Sequence, residues 1–107
     1  MTPLDILKGA RELLSDPAKW TKGKMASNAD GRECFCALGA MKSAAGVQLF
    51  SLDYSDELVT AVSDFRKSLS QQWDDSIVNF NDHHGTKHEH VLAVFDRAIA
   101  RAQGSQP

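Results

Sequence analysis

The stretch NFNDHHGTKHEHV, residues 79–91, sets His83, His84, His88 and His90 beside Asp82 and Glu89. Imidazoles and carboxylates are the ligands of zinc, iron and manganese sites, so metal chemistry is the first possibility to weigh. The helix-borne metal motif needs two histidines four apart with a glutamate between them. His84 and His88 are four apart, yet Thr86 falls between them as a helix boundary. His88 and His90 are two apart and diverge on a helix. A loop-built site from Asp82, His83, His84, His88 and His90 remains the alternative. It would make the chain a small metal-dependent hydrolase or a metal sensor.

The same residues have a purely structural account. Thr86-Lys87-His88-Glu89 fits the capping box, in which a hydroxyl accepts from the third helical N–H and a carboxylate reaches back. The expected helix cap is therefore Thr86 with Glu89, and Gly85 supplies the turn before it. The imidazoles then splay from a polar loop, and no cofactor is expected.

Covalent chemistry would need a nucleophile with a base. Cys34 and Cys36 are the only cysteines, and either could be paired on paper with His83 and Asp82. In an apolar helix, however, a thiol holds its proton and supplies little thiolate. One residue apart, the two are poorly placed to bridge each other. No catalytic residue is assigned, and the chain is read as a non-enzyme. A third chemistry is phosphate contact. Lys19, Lys22 and Lys24 surround Trp20, with Arg32 beyond, and such a patch could neutralise phosphates and stack on a base. Three lysines in a loop are equally a solvated surface, so nucleic acid ranks last among the partners.

The elements that must position these groups are helical. Thr2-Pro3 opens a first helix with a hydroxyl cap and a proline whose missing N–H costs nothing there. Leu4, Leu7, Ala10, Leu13 and Leu14 form its stripe, and Asp16-Pro17 ends it. A polar connection, TKGKMASNADGRE, carries a turn signal at Asp30-Gly31 and is expected to pack through Trp20 and Met25. Residues 34–45, CFCALGAMKSAA, read as a buried central helix stopped by Gly46. Its Ala37, Gly39, Ala40, Ala44 and Ala45 let neighbouring backbones approach.

Ser55-Asp56-Glu57 starts the next helix, with Leu58, Val59, Val62, Phe65 and Leu69 along one side and Trp73 one turn beyond. Ser76 to Phe80 reads as a helical turn. The last helix runs from Lys87 to Ala102, with Val91, Leu92, Val94, Phe95, Ala98, Ile99 and Ala102 inward and Asp96, Arg97 and Arg101 outward. Residues 103–107 are a frayed tail. No strand pattern, repeat or second domain is visible. The expected fold is all-α, a compact single-domain bundle of four to five helices over residues 1–107.

Composition agrees. The chain is 42% hydrophobic and 24% charged with a net charge of −2, ordinary for a globular domain and without general attraction to nucleic acid or membranes. The charge divides unevenly: residues 1–32 carry six Lys/Arg against four Asp/Glu, the remainder six against ten. No apolar run approaches the ~20 residues that span a bilayer, and the amphipathic start is unlike a secretory leader. The expected location is the cytoplasm.

CALGAMKSAAG (36–46) followed by NFNDHHGTKHEHVLAVFDRAIARA (79–102) resembles a family of small, functionally uncharacterised helical proteins of bacteria and phages. That family's pattern reads C-x-LGA, then W-N-D, then T-x-x-E-V and a closing L-D-R-A-I. ARELLSDPAKWTKG (10–23) is similar to its short N-terminal helix and tryptophan-containing turn. Phe80 stands where the family has tryptophan. The resemblance implies a compact helical domain, a bacterial or phage origin and no known reaction. It also points to Asn81-Asp82, which could tie a loop to backbone donors or line a pocket with Cys36.

Without a convincing catalytic constellation, the expected function is a non-enzymatic protein-binding module. The family context makes it phage- or mobile-element-encoded and directed at a host protein such as a defence component. The expected contact residues are Trp20, Lys19, Lys22, Lys24, Asn81 and Asp82, with the acidic stretches 53–57 and 74–75 as a charged rim. No membrane partner is expected, and the oligomeric state is open.

Overall fold

The structure is a computed structural model that describes residues 1–27, 33–48, 51, 54–70, 73 and 76–104. Asp30-Gly31, Arg32, Asp53, Asp74 and Asp75 lie outside the described residues. Five α-helices carry the fold: α1 (Pro3–Leu13), α2 (Ala37–Ala44), α3 (Asp56–Lys67), α4 (Ile77–Asp82) and α5 (His88–Gly104). This is the helical domain that the apolar periodicity predicts. A 3-10 turn, Pro17–Lys19, and two short antiparallel strands, β1 (Ala26–Ser27) and β2 (Cys34–Phe35), join α1 to α2.

Helices α1 to α4 each start at a side chain that satisfies an otherwise open N–H. Thr2 accepts from Asp5 N while Asp5 accepts from Thr2 N, a reciprocal capping box at α1. Ser55 and Ser76 cap α3 and α4 in the same way, accepting from Leu58 N and Asn79 N. α1 ends at Leu13, three residues before Asp16-Pro17. Asp16 instead caps the 3-10 turn by accepting from Ala18 N.

Two boundaries differ from the sequence expectation. Residues 34–35 are strand rather than helix, because Cys36 N donates to Met25 O and Thr21 N donates to Phe35 O. Helix α2 therefore begins only at Ala37, with the Cys36 thiol accepting from Gly39 N at 3.3 Å. At the other end, α5 continues to Gly104, two residues beyond the expected fraying point. The rest of that tail, 105–107, lies outside the described residues.

The core is one layer of side chains shared by all five helices. Leu7, Ala10, Leu14, Ala37, Ala40, Met41, Leu58, Val62, Phe65, Val91, Val94 and Phe95 belong to one buried cluster, with α1 packed on α2 and α3 on α5. Phe65 and Phe95 meet edge-on at 4.7 Å between ring centroids, the aromatic geometry favoured by ring quadrupoles. Burying each of these large side chains contributes about 1.5–3 kcal/mol. Ile6 is buried although the α1 stripe omits it, and Val59, counted into the α3 stripe, is exposed. An Arg11–Asp96 ion pair links α1 to α5 at the surface. Among the described residues, no helix is long and apolar enough to cross a membrane.

Small residues set how close the backbones come. A Cβ on Gly39 would stand 2.0 Å from Met25 O, so only glycine allows the 21–25 segment to lie against α2. Gly9 packs against Ala44 where α1 crosses α2. These contacts anchor the polar connection and place Trp20 next to α4.

Candidate functional site

Asn81, near the end of α4, is fully buried at 0% exposure and uses every polar atom of its amide. Its Oδ1 accepts from Trp20 Nε1 at 2.7 Å and from Ala37 N at 3.1 Å. Its Nδ2 donates to Thr21 O at 3.0 Å and to Asp82 Oδ1 at 3.0 Å. Asp82 Oδ1 also accepts from Gly23 N at 2.9 Å, and Lys22 Nζ donates to His83 O at 2.6 Å. One side chain thus joins the polar connection, the start of α2 and the end of α4. A buried amide with all its bonds made is a rigid junction, since losing any partner leaves a polar group dry.

Several of the expected contact residues take part in this junction. Trp20 is half-buried, its indole N–H is committed to Asn81, and its ring faces His88 at 6.1 Å between centroids. Lys22 Nζ lies 5.3 Å from the centre of the same ring. Trp20, Lys22, Asn81 and Asp82 therefore each make a hydrogen bond within the chain, although Asp82 is exposed. Lys19 and Lys24 remain exposed but have lost the aromatic anchor that made the patch distinctive.

The four histidines make different contacts, and of these rings only His83 and His84 are stacked together among the described residues. His88 Nε2 lies 2.5 Å from Leu14 O, tying α5 to the end of α1. His90 Nδ1 accepts from Lys87 N at 3.0 Å. His83 Nδ1 accepts from Gly85 N at 3.0 Å, with its ring edge-on to Trp73 and stacked on His84 at 4.5 Å. Among the described residues, no group of three or more His, Cys, Asp or Glu side chains converges as the ligands of an ion would.

The cap of α5 also differs from the expected Thr86–Glu89 pair. The first helical bonds run to Lys87 O, which makes Lys87 the capping position, and the side chain reaching back is His90. Thr86 is buried before the helix and its N–H donates to His83 O, while Glu89 is exposed. An imidazole nitrogen does the work assigned to a carboxylate, displaced by one residue.

The structure does bring Cys36, Asn81 and Asp82 together. With Gly23, Met25 and Ile77 they line a cavity of about 140 Å³. Burial pushes the Cys36 thiol above its ordinary value, and the N–H groups of Gly39 and Leu38 oppose that shift. Cys34 donates to Ala18 O at 3.1 Å. His83 is not among the described residues around this cavity, so the imagined Cys–His–Asp arrangement is not assembled. A thiol that keeps its proton is a poor nucleophile.

A larger groove opens between the end of α3, α4 and α5, with a volume of about 350 Å³. Leu69, Trp73, Phe80 and Val94 give it an apolar floor. His83, His90 and Arg97 supply its charged or titratable rim. Arg97 donates from Nε and Nη2 to Ser68 O, the last turn of α3, at 3.2 and 3.1 Å. The spacing of His90, Ala93 and Arg97 places all three on one face of α5, a signal legible in the sequence. That Trp73, Phe80 and His83 would stand opposite was not.

Comparison with curated proteins and with solved structures gives no match. The sequence of residues 1–101, from the Thr2 cap through all five helices to the last turns of α5, matches one family model, and the chain belongs to that family of unknown function, DUF6197.

Proposed function

We propose that the protein is a non-enzymatic binding module that holds a protein partner in the groove between α3, α4 and α5. The observation that carries this reading is the groove itself, an apolar floor open to solvent with a polar rim. Pockets of a few hundred Å³ with this composition are the usual binding places of small domains. The tight Asn81 junction supports it indirectly, because a rigid scaffold limits the entropy lost on binding. The resemblance to bacterial and phage proteins favours a phage or mobile-element origin, action in the bacterial cytoplasm and a host target such as a defence component.

The test is affinity capture from bacterial lysate with the wild-type chain and with Ala93→Trp. Ala93 is exposed and lines the groove, so a tryptophan there fills the space without entering the core. A specific partner captured by the wild type and lost by the variant is the expected result. Equal capture by both, or no partner above background, removes the reading.

A further inference from the structure

The groove has a chemical preference that follows from its ring nitrogens. A neutral imidazole has one donor and one acceptor nitrogen. In His83 and His90 the acceptor is Nδ1 in each case, taken by the N–H of Gly85 and of Lys87. The proton of each neutral ring therefore sits on Nε2, and both histidines line the groove. Arg97 spends Nε and Nη2 on Ser68 O, and its Nη1 makes no hydrogen bond among the described residues. No Asp or Glu is among the described residues that line the groove. A rim of donors beside an apolar floor is complementary to an anion attached to an apolar body.

We infer that the groove takes an acidic peptide segment of a partner protein. An apolar side chain lies against Trp73, Phe80 and Val94, and a neighbouring Asp or Glu carboxylate is received by His83, His90 and Arg97. This rests on the binding-module reading above and specifies its ligand. Arginine suits the part because its planar fork matches a carboxylate and its charge strengthens the bond about twofold over a neutral one.

The test uses a short blocked peptide with a central phenylalanine between two glutamates, and the same peptide with glutamines. Binding is followed by NMR through the backbone signals of Ala93 and Val94 and the ring signals of His83 and His90. The glutamate peptide is expected to move these signals and to bind about tenfold more tightly than the glutamine one. Ala93→Glu places a carboxylate four residues before Arg97 on the same helical face. It is expected to abolish binding of the glutamate peptide while leaving the fold intact.

Equal binding of both peptides overturns the carboxylate preference but leaves a peptide groove, so the binding-module reading stands. Movement of the groove signals by inorganic phosphate at the same concentrations as the peptide would reveal a general anion site and overturn the peptide assignment. If neither peptide moves the signals, the inference fails. Partner capture by Ala93→Trp then decides the broader reading separately.

Discussion

The Asn81 junction and the α3–α4–α5 groove lie on either side of the same short helix, and both are rich in polar groups. They differ in how many of those groups are already used. At the junction one amide makes four hydrogen bonds to Trp20, Ala37, Thr21 and Asp82. In the groove, His83 and His90 each have one nitrogen held by backbone, and Arg97 is held by Ser68 O. Among the described residues, the remaining nitrogens of these three make no hydrogen bond. A polar side chain with every bond made contributes to stability. One with spare donors in an open apolar cleft is available for recognition. Trp20 and Asn81-Asp82, the residues most suggestive in the sequence, are bonded to one another and to the backbone, while Arg97, read only as an outward face, lines the groove.

Substitutions can break that contrast from either side. The largest effect is expected from Asn81→Ala, which strands the indole N–H of Trp20 and the N–H of Ala37 in a dry environment. At about 1–3 kcal/mol for each orphaned group, the loss should total roughly 3–5 kcal/mol in urea unfolding. A red shift of tryptophan fluorescence should accompany it. A loss below about 1 kcal/mol would mean the junction is not what holds the polar connection.

Gly39→Ala comes next. Helix propensity alone would favour alanine by about 1 kcal/mol. The collision with Met25 O opposes this, and overpacking of that kind costs about 1–3 kcal/mol or more. Net destabilisation is expected, and a stabilised variant would show that the 21–25 segment can move away freely.

On the groove side, His90→Ala should cost about 1 kcal/mol, the usual worth of a helix cap, and Glu89→Ala less than half of that. The opposite order would return the cap to Glu89. Peptide binding should weaken in His90→Ala and remain unchanged in Glu89→Ala.

The smallest effects concern pH. Cys36 holds its proton in the folded state above the ordinary thiol value. Its contribution is therefore complete below the unfolded value of ~8.5 and is lost as pH rises towards the folded one. Cys36→Ser keeps an oxygen to accept from Gly39 N and removes this alkaline dependence. Unfolding midpoints of the two proteins should diverge only above that pH. Asp5 works in the other direction. The N–H and hydroxyl of Thr2 hold its carboxylate below the ordinary value, so its contribution is present above ~3.9 and fades on acidification. Asp5→Asn should flatten only that acid limb. An unchanged acid limb would show the α1 capping box to be open in solution.

The sequence and the structure part company at places with a shared cause. Thr2, Ser55 and Ser76 are legible as helix starts because a cap is a local device, read within four residues. The stripe Val91–Val94–Phe95–Ala98–Ala102 is legible because helical periodicity is local too. The expected helix over 34–36 fails because Cys36 N is bonded to Met25 O and Phe35 O to Thr21 N, partners well outside the four-residue span of a helical bond. Thr86 and Glu89 mislead for a subtler reason. His90 is also three residues after a capping position, and only the buried location of Thr86 selects the later register. Cys36, Asn81 and Asp82, far apart in sequence, line one small cavity beside the fully bonded amide of Asn81.

By itself the sequence determined the helical character of the chain and most of the core that joins the helices. These depend on spacing and on capping chemistry, which act over a few residues. Only the tertiary structure decided which polar groups are consumed and which are left over, because that depends on partners as far apart as Trp20 and Asn81, or His83 and Arg97. Hydrogen bonds are made at contact distance, and contact across the fold is not written in any one segment.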